Sequence, residues 1–240
     1  MNDSPAAAAA ATTTTTSSPR TMTTAVATSG GVSAIDLVRR ALLDSGEELV
    51  SALEDVDPTD RRRQRALDRW FAGYAEQLRR HHDLVDTLII PALASRGALD
   101  QRSLDTLAAD HAWIDQLLSD LGDALGVLSF GLGAEAWWVG KASDLATALA
   151  HVLGGQLGRE QRLMRPLVDR WFDDDEREII ERETMRAVAT GPVRFSLAWL
   201  YAHVDEAERA AIAPLAPATS RLTWRTRRGS YCRTSVAAIG

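Results

Sequence analysis

Cysteine and lysine are almost missing from this 240-residue sequence, in which Cys232 and Lys141 are the only examples of each. A single cysteine excludes a disulfide within the chain, and such sparse use of cysteine is typical of a reducing cytoplasm. No apolar run approaches the roughly 20 residues that a membrane-spanning helix needs. The amino-terminus also lacks the basic region and leucine-rich core of a secretory signal. We therefore expect a cytoplasmic protein that makes no contact with a membrane.

Basic residues are also fewer than acidic residues. The chain has 27 lysines and arginines against 33 aspartates and glutamates, which gives a formal net charge of −6. Because the phosphate backbone recruits clustered positive charge, this balance does not favour nucleic-acid binding. The segment after Pro214 differs, since arginines are interleaved there with Trp224 and Tyr231. We interpret it as a tail docked on an acidic bundle, and keep a nucleic-acid-associated protein as the less favoured hypothesis.

Composition divides the chain into three parts. Residues 1–31 consist mostly of alanine, threonine and serine, which bury too little apolar surface to offset the entropy lost on ordering, so this tail is predicted to be disordered. Residues 32–212 carry apolar residues at helical spacing and are predicted to form a helical bundle with a C-terminal helical extension. Residues 213–240 form the Arg-rich C-terminal tail. The predicted fold class is all-α.

Four long helices are predicted within the bundle. The first begins at the N-cap Ser33 and stops before a turn at residues 57–60. The second runs to Pro91, which is expected to end it. The third begins at Asp100 or Ser103, and the fourth ends near Pro166. Residues 126–140, which are rich in glycine and aromatic residues, are predicted to be the loop between the last two helices or an extension of one of them.

The second predicted helix carries the most informative polar residues. His81 and His82 precede Asp86 by about one turn, and the apolar spacing of Leu78 and Val85 places His81 on the buried face. Buried histidines and carboxylates need partners, and a metal ion is one way to provide them. On these residues alone, histidines satisfied by hydrogen bonds or exposed to solvent remain the alternative.

Three motifs in order resemble the bacterial hemerythrin-like (HHE cation-binding) family. The stretch WFAGYAEQLRRHHDLVDTLIIPAL, residues 70–93, is similar to the second helix of that family, and DHAWIDQLL, residues 110–118, to the third. The stretch QLGREQRLMRPLV, residues 156–168, is similar to the fourth. The resemblance implies an up-and-down four-helix bundle, here with an extra C-terminal helix. In the family, the four helices supply histidine, His-xxx-Glu, histidine and His-xxx-Glu to two iron ions.

Compared with the family pattern, this sequence lacks several of the expected metal ligands. The first predicted helix has no histidine, and its nearest polar residues, Asp36 and Arg39, do not replace an imidazole. Val85 stands in place of one glutamate and Gln156 in place of one histidine, with His151 five residues upstream of that position. At most one ion, iron(II) or zinc, is expected instead of a di-iron centre. The candidate metal ligands are His81, His82, Asp86, His111 and Glu160.

Two functional hypotheses follow from this degenerate site. The first is a metal- or redox-linked regulatory or binding protein rather than an oxygen carrier. The alternative is a metal-free structural helical interaction module, in which the polar residues hydrogen-bond one another inside the bundle. No additional nucleophile or acid–base pair stands out, so an enzyme is not expected. The expected partners are a metal ion and a protein that the sequence does not identify.

Overall fold

The described part of the chain consists of helices. The computed structural model describes residues 32–191 and 195–240, so the predicted tail over residues 1–31 lies outside the described residues. The all-α prediction is confirmed for the described residues. The α-helices are α1 (Ala34–Glu54), α2 (Arg61–Leu84), α3 (Ile90–Ser95), α4 (Gln101–Phe130), α5 (Glu135–Trp171), α6 (Asp174–Thr190), α7 (Ser196–Leu200), α8 (Glu206–Ile212) and α9 (Ala218–Ile239).

Four of these helices, α1, α2, α4 and α5, pack around a common core. Helix α1 contacts α2 and α5, and α4 contacts the same two helices from the other side. Arg61 at the start of α2 donates to the carbonyl of Leu128 near the end of α4, and Arg165 near the end of α5 pairs with Asp36 near the start of α1. These contacts join the start of one helix to the end of the next. Packed neighbours in the ring therefore run antiparallel.

The core of the bundle has three layers along its axis. A large apolar cluster contains Leu42, Leu78 and Ile114, and a smaller one contains Ile35 and Val85. Between the clusters each of the four helices places buried polar residues at the same level. These are Arg39, His81, His82, His111, Gln156 and Glu160. We call this set the polar layer.

Pro91 does not end the second helix, contrary to the sequence prediction. Residues Val85–Ile89 form a π-helical turn, in which the Ile90 N–H bonds to the Val85 carbonyl, and α3 then continues to Ser95. Proline lacks an N–H and crowds the carbonyl four residues before it. A π turn just ahead of Pro91 absorbs that local mismatch, so the helical path continues.

The last long helix of the bundle is also longer than predicted. Helix α5 begins at Glu135 and passes through Pro166 to Trp171, and α4 extends to Phe130. The connection between them is therefore residues 131–134 alone, so residues 126–140 mostly extend both helices. Three glycines near Glu160 lie inside the continuous helix without the distortion that their low helix propensity suggests. Packing of α5 against α1 and α4 overrides that propensity.

The residues after the bundle form helices that cover α1 and α2. The Arg-rich segment predicted as a tail forms α9, which packs against α2 and buries Tyr231 and Ala238. The ring of Phe195 packs edge-on against both Trp70 and Tyr231. Residues Val32–Gly240 form one compact unit. No helix in residues 32–191 and 195–240 is long and apolar enough to cross a membrane.

The contact between Gly73 and Phe195 gives a test of this packing. A Cβ added at Gly73 would overlap the Phe195 ring, so Gly73→Ala is expected to lower the free energy of unfolding by about 1–3 kcal/mol. The matched control is Gly154→Ala, because, apart from its chain neighbours and the adjacent backbone of its own helix, no atom lies within 4 Å of its added Cβ. That variant is expected to be neutral or more stable by up to about 1 kcal/mol. Urea unfolding measures both, and equal effects would contradict the packing of Phe195 on α2.

Candidate functional site

The polar layer contains four of the five residues proposed from sequence as metal ligands. His81 and His82 on α2, His111 on α4 and Glu160 on α5 all have at most 5% of their surface exposed. Asp86, the fifth, lies in the π-helical turn with 47% of its side chain exposed, and joins the layer through His111. His151 is exposed on α5 and takes no part.

Glu160 is the centre of the layer. The Nε atom of Arg39 donates to Glu160 Oε1 at 3.1 Å, and the Nη2 atom of the same guanidinium donates to the same oxygen. The second oxygen, Oε2, accepts from the Gln156 amide at 2.8 Å. His81 Nε2 lies 3.5 Å from Oε1, which is within ion-pair range but long for a hydrogen bond. Both oxygens of the carboxylate are therefore engaged by side chains of the protein itself.

Glu160 is ionised in spite of its burial. Burial alone raises the pKa of a carboxyl group, because it removes water from the charged form. Interactions with His81 and with the Arg39 guanidinium outweigh that effect and hold the pKa of Glu160 well below its ordinary value of 4.5. The layer thus contains a buried negative charge matched by the positive charge of Arg39.

Hydrogen bonds show which ring nitrogen of His111 carries the proton. Its Nδ1 atom lies 3.0 Å from Asp86 Oδ2, and its Nε2 atom lies 3.1 Å from the amide nitrogen of Gln156. An aspartate oxygen only accepts and an amide nitrogen only donates. The network therefore assigns the proton to Nδ1 and leaves Nε2 as the acceptor. The two amide hydrogens of Gln156 then serve His111 and Glu160.

His82 is held neutral in the layer. Its ring stacks on that of His111, with the centroids 4.0 Å apart. Burial, reinforced by the neighbouring His111 and His81, lowers the pKa of His82 to about 2. Both ring nitrogens of His82, both of His81, and Gln156 Oε1 have no hydrogen-bond partner among the described residues. These are the atoms that a bound water or ion would satisfy.

The geometry of the layer does not fit a resident metal ion. Among residues 32–191 and 195–240, no three His, Cys, Asp or Glu side chains are arranged to share one ion. Arg39 and Gln156 occupy the oxygens of Glu160, while Asp86 binds His111 at the rim. An ion at Glu160 would need the guanidinium to move. The single-ion site therefore stays a prediction.

Arg39 is a member of the polar layer that was not predicted from the sequence. It follows Ile35 by four residues and precedes Leu42 by three, so helical periodicity places it on the buried stripe of α1. That spacing was the signal in the sequence from which the burial of Arg39 could have been predicted. Only 7% of Arg39 is exposed, and its Nη1 atom donates to Asp36 at 3.1 Å. Asp36 in turn pairs with Arg165 at the surface.

No protein-family model, characterised protein or solved structure matches this chain. The resemblance to hemerythrin-like proteins therefore depends on the three sequence motifs alone. Conclusions about the site depend on its geometry.

The neutral state of His82 predicts loss of stability in acid. In the unfolded chain this histidine has its ordinary pKa of 6.5, so below pH 6.5 unfolding takes up a proton that the folded state does not bind. The free energy of unfolding is expected to fall by about 1.4 kcal/mol per pH unit between pH 6 and about pH 4.5 from this group. Glu160 adds little above about pH 5, because the stability that comes from its lowered pKa is lost only as the unfolded carboxyl group takes up a proton, around and below its ordinary pKa of 4.5.

The measurement is urea unfolding of wild type and His82→Asn across this pH range. The pKa of His203 is also lowered by burial, so a shallower dependence is expected to remain in the variant. His151→Asn is the control, since it removes an exposed imidazole outside the polar layer, and His82→Asn is expected to show the shallower pH dependence of the two variants. A slope in His82→Asn equal to that of wild type would contradict a buried, neutral His82.

Proposed function

We propose that this protein is a hemerythrin-like helical bundle that acts without a metal ion, as a helical interaction module. The observation that carries the proposal is the buried pair of Arg39 and Glu160. A carboxylate inside a protein needs a positive partner, and in metal sites the ion provides it. Here a side chain of the protein supplies that charge.

The remaining polar contacts support the same conclusion. Gln156 bonds both Glu160 and His111, and His111 bonds Asp86. These contacts join α5, α4 and the π-helical turn that follows α2 without an ion. A metal-dependent bundle would be expected to leave its carboxylate oxygens free. Here both oxygens of Glu160 are engaged by side chains of the protein itself.

An exposed apolar turn supports the interaction role. Around the connection between α4 and α5, Phe130 is 80% exposed, Leu132 73% and Trp137 61%. Large apolar side chains grouped at one place on a surface mark interaction sites more often than scattered ones do. We call these three residues the apolar turn. We propose that they contact the protein partner.

A metal- or redox-linked regulatory protein is the second candidate function. It is favoured by the ring nitrogens of His81 and His82, which have no hydrogen-bond partner among the described residues, because an imidazole binds a metal through a free ring nitrogen. In this alternative, one iron or zinc ion enters the layer and changes its packing. The Arg39 guanidinium would have to leave Glu160 first.

Metal content distinguishes the two candidates. Protein purified without an affinity tag, and then incubated with iron(II) or zinc, is expected to contain no stoichiometric metal by elemental analysis. Its thermal unfolding midpoint is expected to be the same with and without a chelator, because Arg39 and not an ion neutralises Glu160. About one ion per chain, lost in both His111→Ala and Glu160→Ala, would reject the metal-free module in favour of the second candidate.

Polar substitution of the apolar turn tests the interaction role. The triple variant Phe130→Ser, Leu132→Ser, Trp137→Ser is expected to keep the stability of the wild type within about 0.5 kcal/mol, because exposed side chains contribute little to folding. Proteins cross-linked to wild type in cells are expected to be lost from the variant. Leu222→Ser is the control, since Leu222 is equally exposed on α9. Identical cross-linked partners for wild type and the triple variant would exclude the apolar turn as the contact.

A further inference from the structure

We propose that the partner contacted by the apolar turn also carries an acidic peptide segment, and that this segment binds in a cleft between the start of α2 and the end of α9. The proposal rests on the interaction role proposed above and deepens it, because it states the chemistry of the partner. The side chains that line the cleft include Asp60, Arg62, Arg63, Cys232, Arg233 and Val236. We call it the arginine cleft.

Positive charge without an acidic partner is the first observation. Among the described residues, none of the three guanidinium groups of the cleft forms an ion pair. Arg63 donates through Nε to the Ala238 carbonyl at 3.3 Å, and this bond leaves its two terminal nitrogens available. Asp60 is the acidic side chain of the lining, and its Oδ1 atom already accepts the N–H groups of residues 62 and 63 as the cap of α2. The cleft therefore has a surplus of positive charge.

The size and the walls of the cleft indicate a ligand with several groups. Its volume is about 630 Å³, which is enough for several side chains of a peptide. Val236 supplies an apolar wall and is 70% exposed. A guanidinium binds a carboxylate through two parallel N–H···O bonds. A peptide in which glutamates or aspartates alternate with apolar residues satisfies both the arginines and this wall.

The arginine cleft lies next to the apolar turn. Arg61 at the start of α2 pairs with Glu135 at the start of α5. A Cβ added at Gly131, in the middle of the apolar turn, would overlap the Arg61 guanidinium. The next residue, Arg62, lines the cleft, and consecutive Cα atoms are about 3.8 Å apart. One partner that covers the apolar turn can therefore also reach the cleft.

The distribution of charge favours an acidic peptide over a nucleic acid. The three arginines are grouped in one cleft, whereas the whole chain has a formal net charge of −6. A phosphate backbone carries charge along its whole length, so it would be repelled wherever it left the cleft. A short acidic segment with apolar neighbours places its charge at the arginines alone.

Binding of a synthetic peptide tests the proposal. The probe is fluorescein-labelled EEFEEFEE, and the control peptide QQFQQFQQ keeps the apolar side chains without the carboxylates. The double variant Arg62→Gln, Arg233→Gln is expected to bind EEFEEFEE at least about tenfold more weakly than wild type, because two charge-assisted contacts are lost. Arg63 is kept, since its bond to Ala238 also joins α2 to α9. Fluorescence anisotropy measures the binding.

A second double variant controls for charge alone. Arg221→Gln, Arg228→Gln removes the same charge from exposed positions of α9 that do not line the cleft, and is expected to bind EEFEEFEE within about twofold of wild type. QQFQQFQQ should bind to none of the three proteins. Equal weakening of EEFEEFEE binding in the two double variants would overturn the proposal, and so would the absence of binding to wild type.

Cys232 provides an independent readout, because it lines the cleft and is the only cysteine of the chain. A bound peptide covers its thiol, so alkylation by iodoacetamide is expected to slow several-fold with EEFEEFEE and to keep its rate with QQFQQFQQ. At the same concentration of EEFEEFEE, the Arg62→Gln, Arg233→Gln variant should be alkylated as fast as without peptide. Binding to wild type without protection of Cys232 would place the peptide outside the cleft and overturn the proposal.

Cross-linking separates this proposal from the interaction role on which it rests. The Arg62→Gln, Arg233→Gln variant is expected to lose the partners that the apolar-turn variant loses. Partners lost from the apolar-turn variant but kept by the arginine variant would overturn the proposal and leave the interaction role standing. Identical partners for wild type and the apolar-turn variant would overturn the interaction role itself. Tighter binding of a thymidine oligonucleotide than of EEFEEFEE, lost in the arginine variant, would replace the acidic peptide with a nucleic acid.

Discussion

The negative charge of Glu160 is the constraint on which the centre of this bundle depends. Its carboxylate has no exposed surface, and water cannot stabilise it there. Removing one partner of a buried ion pair typically costs about 3–5 kcal/mol, which is comparable with a large part of a domain's total stability. Arg39 on α1 and Gln156 on α5 are therefore tied to Glu160 as strongly as any apolar contact in the core. Helix α4 joins the same network through the hydrogen bond between His111 and Gln156.

The polar layer also explains why the four helices have one alignment. Apolar clusters on both sides of the layer would tolerate a helix sliding by one turn, because leucine packs on leucine in many registers. A guanidinium facing a carboxylate does not tolerate such a slide, since the shift would leave both charges buried and unpaired. Buried polar residues fix register in this way in coiled coils. We interpret the layer as the element that aligns α1 with α5 and α2 with α4.

Much of the fold was predictable from the sequence, because apolar spacing alone reports which face of a helix is buried. The same periodicity placed His81 and His111 on inward faces, the family resemblance added Glu160, and the structure buries all three in one layer. Elements that depend on tertiary packing were missed. Pro91 and Pro166 are strong local stop signals, yet both lie in continuing helical structure because neighbouring helices hold the chain in place.

Arg39 was missed for a different reason. Arg39 was considered only as a replacement for an imidazole ligand, so its place on the apolar stripe of α1 was not used although the spacing was visible. An arginine on a buried stripe needs a buried acid opposite, and Glu160 was the one inward-facing acid of the fourth predicted helix. Considering the two residues together would have predicted the pair. The general reason is that a charged side chain can be buried only where the facing helix provides a partner of opposite charge, and the sequence of its own helix does not show that partner.

A side chain differs from a metal ion in one respect that bears on function. An ion can be taken up, lost or oxidised, so a layer built on it changes with the supply of metal and with redox conditions. A guanidinium is part of the chain and keeps its charge at every physiological pH. With Arg39 as the counter-charge, the balance of charge at Glu160 does not depend on the supply of metal or on redox conditions. The metal-free interaction module that we propose requires such a core, because its exposed residues Phe130, Leu132 and Trp137 would then keep one arrangement.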